Sequence, residues 1–199
     1  MSHQFQLDSL IHQIDNRTLL HGVCLSAKTT DIIGIVGSNG TGKSTLLNIL
    51  FGAIKATQIF IRVDNQVILN RHKLNKYFSY KPQFLMFPPN LKVKDLFTLE
   101  QLTSTPFLNY LDLKIKELST GEQQFLQTLY VLNLPQPFCL LDEPFAAISP
   151  IMQEQLMAII QDKSQDKCII LVDHYHDLLA KICTKQFQLT QGNLLQITH

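Results

Sequence analysis

Four of the chain's eight glycines, Gly34, Gly37, Gly40 and Gly42, fall within nine residues. Three of them belong to the string Gly37-Ser38-Asn39-Gly40-Thr41-Gly42-Lys43-Ser44, which fits G-x-x-x-x-G-K-[ST]. The string follows a nearly continuous apolar run, Asp31–Val36, and opens a helical segment at about Gly42, the context in which this pattern has a mechanism. Glycines let successive backbone N–H groups turn inward around phosphate oxygens, and the helix N-terminus adds its positive end. Lys43 is then placed for the β- and γ-phosphates of a nucleoside triphosphate, Ser44 offers a hydroxyl to Mg²⁺, and Thr45 is a further donor. The alternative is a glycine-rich strand-to-helix turn without a ligand.

A second constellation lies a hundred residues on. Phe138-Cys139-Leu140-Leu141-Asp142-Glu143 is an apolar run ending in two carboxylates. In an open parallel sheet, the C-terminal strand edge is where ligands bind, so Asp142 suits Mg²⁺ and Glu143 can face the γ-phosphate as the group that deprotonates an attacking water. Alone, Asp-Glu before Pro144 would be an ordinary solvated turn; the phosphate loop gives it a role. Leu118-Ser119-Thr120-Gly121-Glu122 sets Ser119 three residues before Glu122, a capping box at a helix start.

The elements that must hold these residues can be read from periodicity. Segments rich in β-formers open the chain at His3–Leu10 and Leu19–Ala27, and Gln58–Val63 with Val67–Leu69 reads as a hairpin turning at Asp64-Asn65-Gln66. Phe78–Lys81 reads as a strand ended by Pro82, and Pro88-Pro89 blocks a helix through the loop that follows. Val93, Leu96, Phe97 and Leu99 suit a short helix that Pro106 interrupts. Helix is then predicted at Thr120–Leu132, strand at Phe138–Leu141, helix at Pro150–Asp162, strand at Cys168–Val172, helix at His174–Ile182, and a closing hairpin of Phe187–Leu189 and Leu194–Ile197. The alternation implies a parallel sheet flanked by helices.

Composition bounds the function. At 199 residues the chain is long enough for one large domain with a sizeable core. Charged residues make up 17%, with 19 Gln and 10 Asn sharing the polar load, and a net charge of +1 argues against a domain built to grip a nucleic-acid backbone. Arg71, Lys73, Lys76 and Lys81 are scattered and read as a solvated face. No apolar run reaches the ~18 residues a membrane span needs, so a cytoplasmic location is expected. Cys24, Cys139, Cys168 and Cys183 lack metal or redox spacing and read as small buried hydrophobes.

Five elements stand in one order: the phosphate loop, Gln83 in Tyr80-Lys81-Pro82-Gln83, Leu118-Ser119-Thr120-Gly121-Glu122, Asp142-Glu143, and His174 just after an apolar strand. Together they resemble the ATP-binding subunit of an ABC transporter over nearly the whole chain. The resemblance implies an α/β fold: a P-loop NTPase with a parallel-sheet core, an N-terminal antiparallel β subdomain and a helical subdomain shortened to about residues 84–132, in a single domain spanning 1–199. It implies a Mg²⁺-dependent ATPase whose nucleotide lies on Gly37 to Thr45, with Ser119 and Gly121 closing the site of the opposite subunit in a head-to-tail dimer. Lys43, Gln83, Glu143 and His174 become catalytic, and Ser44, Gln83 and Asp142 the metal-site residues. His176 competes with His174, which lies closer to the strand end. No arginine follows Arg71, so charge developing on the γ-phosphate falls to Lys43, Mg²⁺, His174 and the partner's Ser119 helix end. The implied partners are a paired ATPase subunit and separate membrane-spanning subunits, reached peripherally at the inner membrane face, with Phe84-Leu85-Met86-Phe87 as a candidate apolar docking patch and no nucleic acid. An ABC-type protein of assembly, repair or translation, or a non-hydrolysing regulatory module, is the alternative.

The sequence departs from the family pattern at Ile14, where an aromatic base platform is usual, at Thr120, and at Ser149 in place of an aspartate. The Leu141–Ala147 and Val172–His174 wording resembles ATPases of lipopolysaccharide export or branched-chain amino acid import.

Overall fold

Three strands of this protein are apolar at nearly every position, so neither of their faces can meet water, and the fold is arranged around hiding both. The computed structural model describes residues 2–103 and 105–197. In chain order the strands are β1 (Gln4–Ile14), β2 (Arg17–Lys28), β3 (Ile32–Val36), β4 (Gln58–Val63), β5 (Gln66–Val67), β6 (Phe78–Lys81), β7 (Phe138–Asp142), β8 (Cys168–Val172), β9 (Lys185–Thr190) and β10 (Asn193–Ile197). The helices are α1 (Lys43–Phe51), α2 (Leu99–Leu102), α3 (Thr120–Asn133), α4 (Pro150–Lys163) and α5 (His176–Ile182).

β3, β7 and β8 are buried throughout and form the middle of a six-stranded sheet of order β10-β9-β3-β8-β7-β6. Its pairings are parallel except for β10, which returns antiparallel along β9. A second sheet, β2-β1-β4-β5, is antiparallel. One apolar cluster fills the space between the sheets and around α1, where Phe5, Phe78 and Phe138 meet ring to ring at 5.1–5.3 Å. A second cluster lies on the other face of the parallel sheet, against α3, α4 and α5.

The first hairpin is longer than the sequence reading. Asp15 and Asn16 both take positive φ, 47° and 63°, a two-residue turn whose twist matches that of the flanking strands, and pairing therefore runs to Ile14↔Arg17. Asp64 and Asn65 do the same between β4 and β5. In the segment before α3, the expected short helix is a 3₁₀ turn at Val93–Asp95 and one turn of α2, separated by Thr98, whose hydroxyl caps α2. Further 3₁₀ turns follow at Leu108–Tyr110 and Ile115–Glu117, so α3 is the long helix of this region. Helix α5 begins at His176 rather than at His174 because the side chain of Asp173 holds the two intervening amides. Cys139 and Cys168 are fully buried, Cys183 is partly buried against Gly34, and Cys24 is exposed on β2 beside Asp8, which corrects its reading as a core residue.

Gly121, in the first turn of α3, is buried where that helix meets the loop after β7, and a Cβ there would sit 2.4 Å from the carbonyl oxygen of Ala147. The Gly121→Ala variant is expected to lose about 1–3 kcal/mol of stability through overpacking, seen as a melting temperature lowered by several degrees.

Candidate functional site

The phosphate loop joins β3 to α1, and its local sequence explains its shape. Gly42, immediately before α1, has φ 100°, a left-handed conformation that costs a glycine nothing and lets the chain enter the helix sharply. Lys43 folds back under the loop, its Nζ donating to the carbonyls of Gly37 at 2.7 Å and Ser38 at 3.0 Å. Partial burial lowers its pKa, opposed by the nearby carboxylates of Glu143, Asp142 and Asp173. A cleft of about 500 Å³ opens over this loop, lined by Leu19, Asn39, Gly40, Gly42, Lys43, Ser44, Thr45, Gln83, Glu143 and His174. Thr41 lines the adjoining cleft with Arg17 and His21.

Asp142 ends β7 and is almost wholly buried. Its Oδ2 accepts from the Tyr80 hydroxyl at 3.1 Å, while Oδ1 is buried without a partner. Loss of solvent pushes the carboxyl's pKa up, with Ser44 and Tyr80 pulling the other way. A buried carboxylate oxygen with no donor is open to a cation, and a carboxylate, the Ser44 hydroxyl and the Gln83 amide oxygen are the hard oxygen chemistry that Mg²⁺ prefers. These residues fit the ion implied by the motif.

Glu143 turns out of the strand with φ 48°, its N–H held by the carbonyl of Val172 at 2.8 Å. Both carboxylate oxygens are engaged: Oε2 accepts from Gln83 Nε2 at 2.7 Å, and Oε1 lies 3.0 Å from His174 Nε2. His174 makes this contact and lines the cleft, whereas His176 starts α5 and is not among the residues lining it.

Two contributors escaped the sequence reading. Asp173 is buried, and it accepts the backbone N–H groups of Phe145, His174 and Tyr175 at 3.2, 2.7 and 3.1 Å, which orients the chain so that His174 meets Glu143. Its position, last after an apolar strand and directly before His174, was the available signal. Lys81, expected on a solvated face, has no exposed surface at all. Its Nζ donates to the carbonyls of Asp142 at 3.0 Å and Glu143 at 3.3 Å, and burial pushes its pKa down to about 8 against the pull of Asp142, Asp173 and Glu143. No periodicity argument reaches this lysine, because only the neighbouring strand makes its position internal.

Ser119 and Gly121 do not line the cleft. Ser119 caps α3 reciprocally with Glu122, as read: Glu122 N–H donates to its Oγ at 3.3 Å, and its own N–H donates to Glu122 Oε2 at 2.7 Å. Ile14 stands half exposed at the end of β1 and lines neither cleft.

A sequence profile of the ABC transporter family matches residues 20–146, close to two thirds of the chain. This protein belongs to the ABC transporter family. The matched stretch takes in the phosphate loop, Gln83, Ser119 and Asp142-Glu143, and ends before His174. This ABC cassette is 28% identical over 216 residues to the lipopolysaccharide export system ATP-binding protein LptB of Acidithiobacillus ferridurans, covering 98% of the chain and 90% of that protein. It is 25% identical over 189 residues to the thiamine import ATP-binding protein ThiQ of Vibrio cholerae, covering 85% of the chain and 79% of that protein. A crystal structure of a nucleotide-free ATP-binding cassette superposes with a TM-score of 0.85 at 16% identity over 96% of the chain and 89% of that structure. A dimeric post-hydrolysis structure of the cassette MJ0796 bound to ADP and Pi superposes at 0.81 with 21% identity, covering 96% of each. At these identities the structures establish the fold, a P-loop NTPase with its antiparallel β subdomain.

Because folding drives Asp142 into a place where its charge is poorly solvated, the folded protein holds its proton more tightly than the unfolded chain does. The group therefore favours the fold below its unfolded pKa and opposes it as pH rises through the folded value. Asp142→Asn is expected to raise the melting temperature of the nucleotide-free protein at pH 7 more than at pH 4, and to weaken Mg²⁺-dependent ATP binding, measured by calorimetric titration with and without the ion.

Proposed function

We propose that this chain is the ATP-hydrolysing subunit of an ABC transporter, pairing head to tail with a second ATPase subunit around two ATP molecules and driving separate membrane-spanning subunits from the cytoplasmic face. The observation that carries the reading is the double engagement of Glu143 by Gln83 and His174, at 2.7 and 3.0 Å, beside Lys43 in one cleft. A structural glutamate on a loop needs no such partners. One that must stand in a fixed place and receive a proton does.

In this reading the triphosphate lies on the backbone amides of residues 37–45, with Lys43 leaving its carbonyl partners to meet the β- and γ-phosphates. Glu143 accepts the proton of the attacking water as oxygen bonds to the γ-phosphorus and the bond to the β-bridging oxygen breaks. His174 and Gln83 hold the carboxylate in line, and the exposed N-terminus of α3 at Ser119 is free to face γ-phosphate bound by the partner. Mg²⁺ held by Asp142, Ser44 and Gln83 would offset the charge on the phosphate oxygens. Among the described residues no helix is long and apolar enough to cross a membrane. The net charge of +1 supports no nucleic-acid partner.

Two outcomes test this. Glu143→Gln preserves shape and removes the base, so it is expected to bind ATP as wild type does, lose at least about a hundredfold in phosphate release, and accumulate an ATP-bound dimer by light scattering. Wild-type turnover in that variant would remove the assignment. For the membrane partner, the structure redirects attention from Phe87, which packs edge-on against Tyr130 at 5.4 Å, to Phe84, 70% exposed, and its neighbour Leu85. Phe84→Ser is expected to weaken co-purification with the spanning subunits while leaving the melting temperature and the isolated ATPase rate near wild type.

A further inference from the structure

Helix α3 buries two glutamines three residues apart, Gln124 and Gln127. A buried helix face normally carries apolar side chains, because an amide taken out of water must recover its hydrogen bonds. Gln127 has no exposed surface and recovers three: its Nε2 donates to the carbonyls of Pro82 at 3.2 Å and Phe84 at 2.9 Å, and its Oε1 accepts from the N–H of Met86 at 2.9 Å. Gln124 adds a fourth contact, its Nε2 donating to the carbonyl of Gln83 at 3.1 Å.

These amides meet a need set by the sequence. Pro82 ends the β6 ladder, and among the described residues no backbone group of residues 82–87 bonds to another backbone group. Backbone polar groups sheltered from water are rarely left unpaired, and here the glutamines of α3 take the place of the missing ladder. The segment they hold has two outward functions: the Gln83 side chain reaches Glu143, and Phe84 and Leu85 stand exposed.

We infer that Gln127 is a positioning residue, whose side-chain amide locks residues 82–86 onto α3 so that the reach of Gln83 to Glu143 and the placement of the helix beginning at Ser119 are set together. The kinetic part of this inference rests on the hydrolytic reading above; the lock itself rests on the geometry. With both edges of the amide engaged, a displacement of the Phe84–Leu85 surface is passed into α3 instead of being taken up by bending of the loop.

Amide hydrogen exchange and steady-state kinetics on wild type and Gln127→Met test the proposal, methionine keeping length and flexibility while removing the donor and the strong acceptor. The Met86 amide of the wild type is expected to exchange slowly for a residue outside any helix or strand. In Gln127→Met it should exchange at least about tenfold faster, the equivalent of about one hydrogen bond, while the amides of β7 keep their rates. The same variant should lose about tenfold in kcat with KM for ATP changed by less than about twofold, since the phosphate loop is untouched. A Met86 amide that exchanges at the open-loop rate in wild type overturns the lock, and accelerated exchange with unchanged kcat overturns the positioning role. Absence of phosphate release from the wild type would instead remove the hydrolytic reading, leaving exchange at Met86 to decide the lock. If Gln127→Met fails to fold, the wild-type exchange rate still decides.

Discussion

Three carboxylates, Asp142, Glu143 and Asp173, converge where the adjacent strands β7 and β8 end, two of them almost fully buried, and the rest of the site is arranged around containing that charge. Like charges in poor solvent oppose one another and oppose folding unless each is given partners. The three are treated differently. Asp173 is saturated by three backbone N–H groups, Glu143 is held by two side chains, and Asp142 is left with one oxygen bare. Lys81 lies behind the turn and donates to its backbone carbonyls, while Lys43 comes from the phosphate loop in front. The incomplete satisfaction of Asp142 concedes stability at the place that an ion and a triphosphate would complete.

The polar economy of the chain follows a second rule. With charged residues at 17% and no arginine after Arg71, neutral amides serve in positions inside the protein. Gln127 and Gln124 bind loop backbone and Asn48 bridges α1 to the Tyr80 hydroxyl, while Gln83, exposed in the cleft, holds Glu143. An amide can donate and accept at once without the solvation cost of a charge, so it suits joints between elements that shelter backbone groups from water. Tyr80 extends the chain, accepting from Asn48 and donating to Asp142, which ties the phosphate-loop helix to the end of β7.

Much of the fold and site was legible in the sequence because it rests on local rules. Continuous apolar runs marked β3, β7 and β8; G-x-x-x-x-G-K-[ST] marked the phosphate loop; Ser119 with Glu122 marked the start of α3; and an apolar run ending in Asp142-Glu143 placed those carboxylates at a strand edge. Each depends on residues within a few positions of one another, where backbone geometry and side-chain reach are set by spacing alone. The type I′ turn at Asp15-Asn16 follows the same kind of rule, and its Asp-Asn pair was a readable signal that lengthened the first hairpin.

What tertiary structure alone decided were the contacts between segments far apart in the chain. Gln83 and His174 meet Glu143 across separations of 60 and 31 residues, and Lys81 reaches it across 62. Lys81 reads as a surface charge in isolation and becomes an internal cation because β7 lies beside β6. Cys24 follows the opposite course, exposed on β2 despite its apolar neighbours. That His174, and not His176, meets Glu143 also came from outside the local sequence, through Asp173 gripping the chain between β8 and α5. The sequence by itself determined which side chains have the chemistry for phosphate, a divalent ion and proton transfer; sheet order, which no local rule encodes, determined which of them stand within 3 Å of one another.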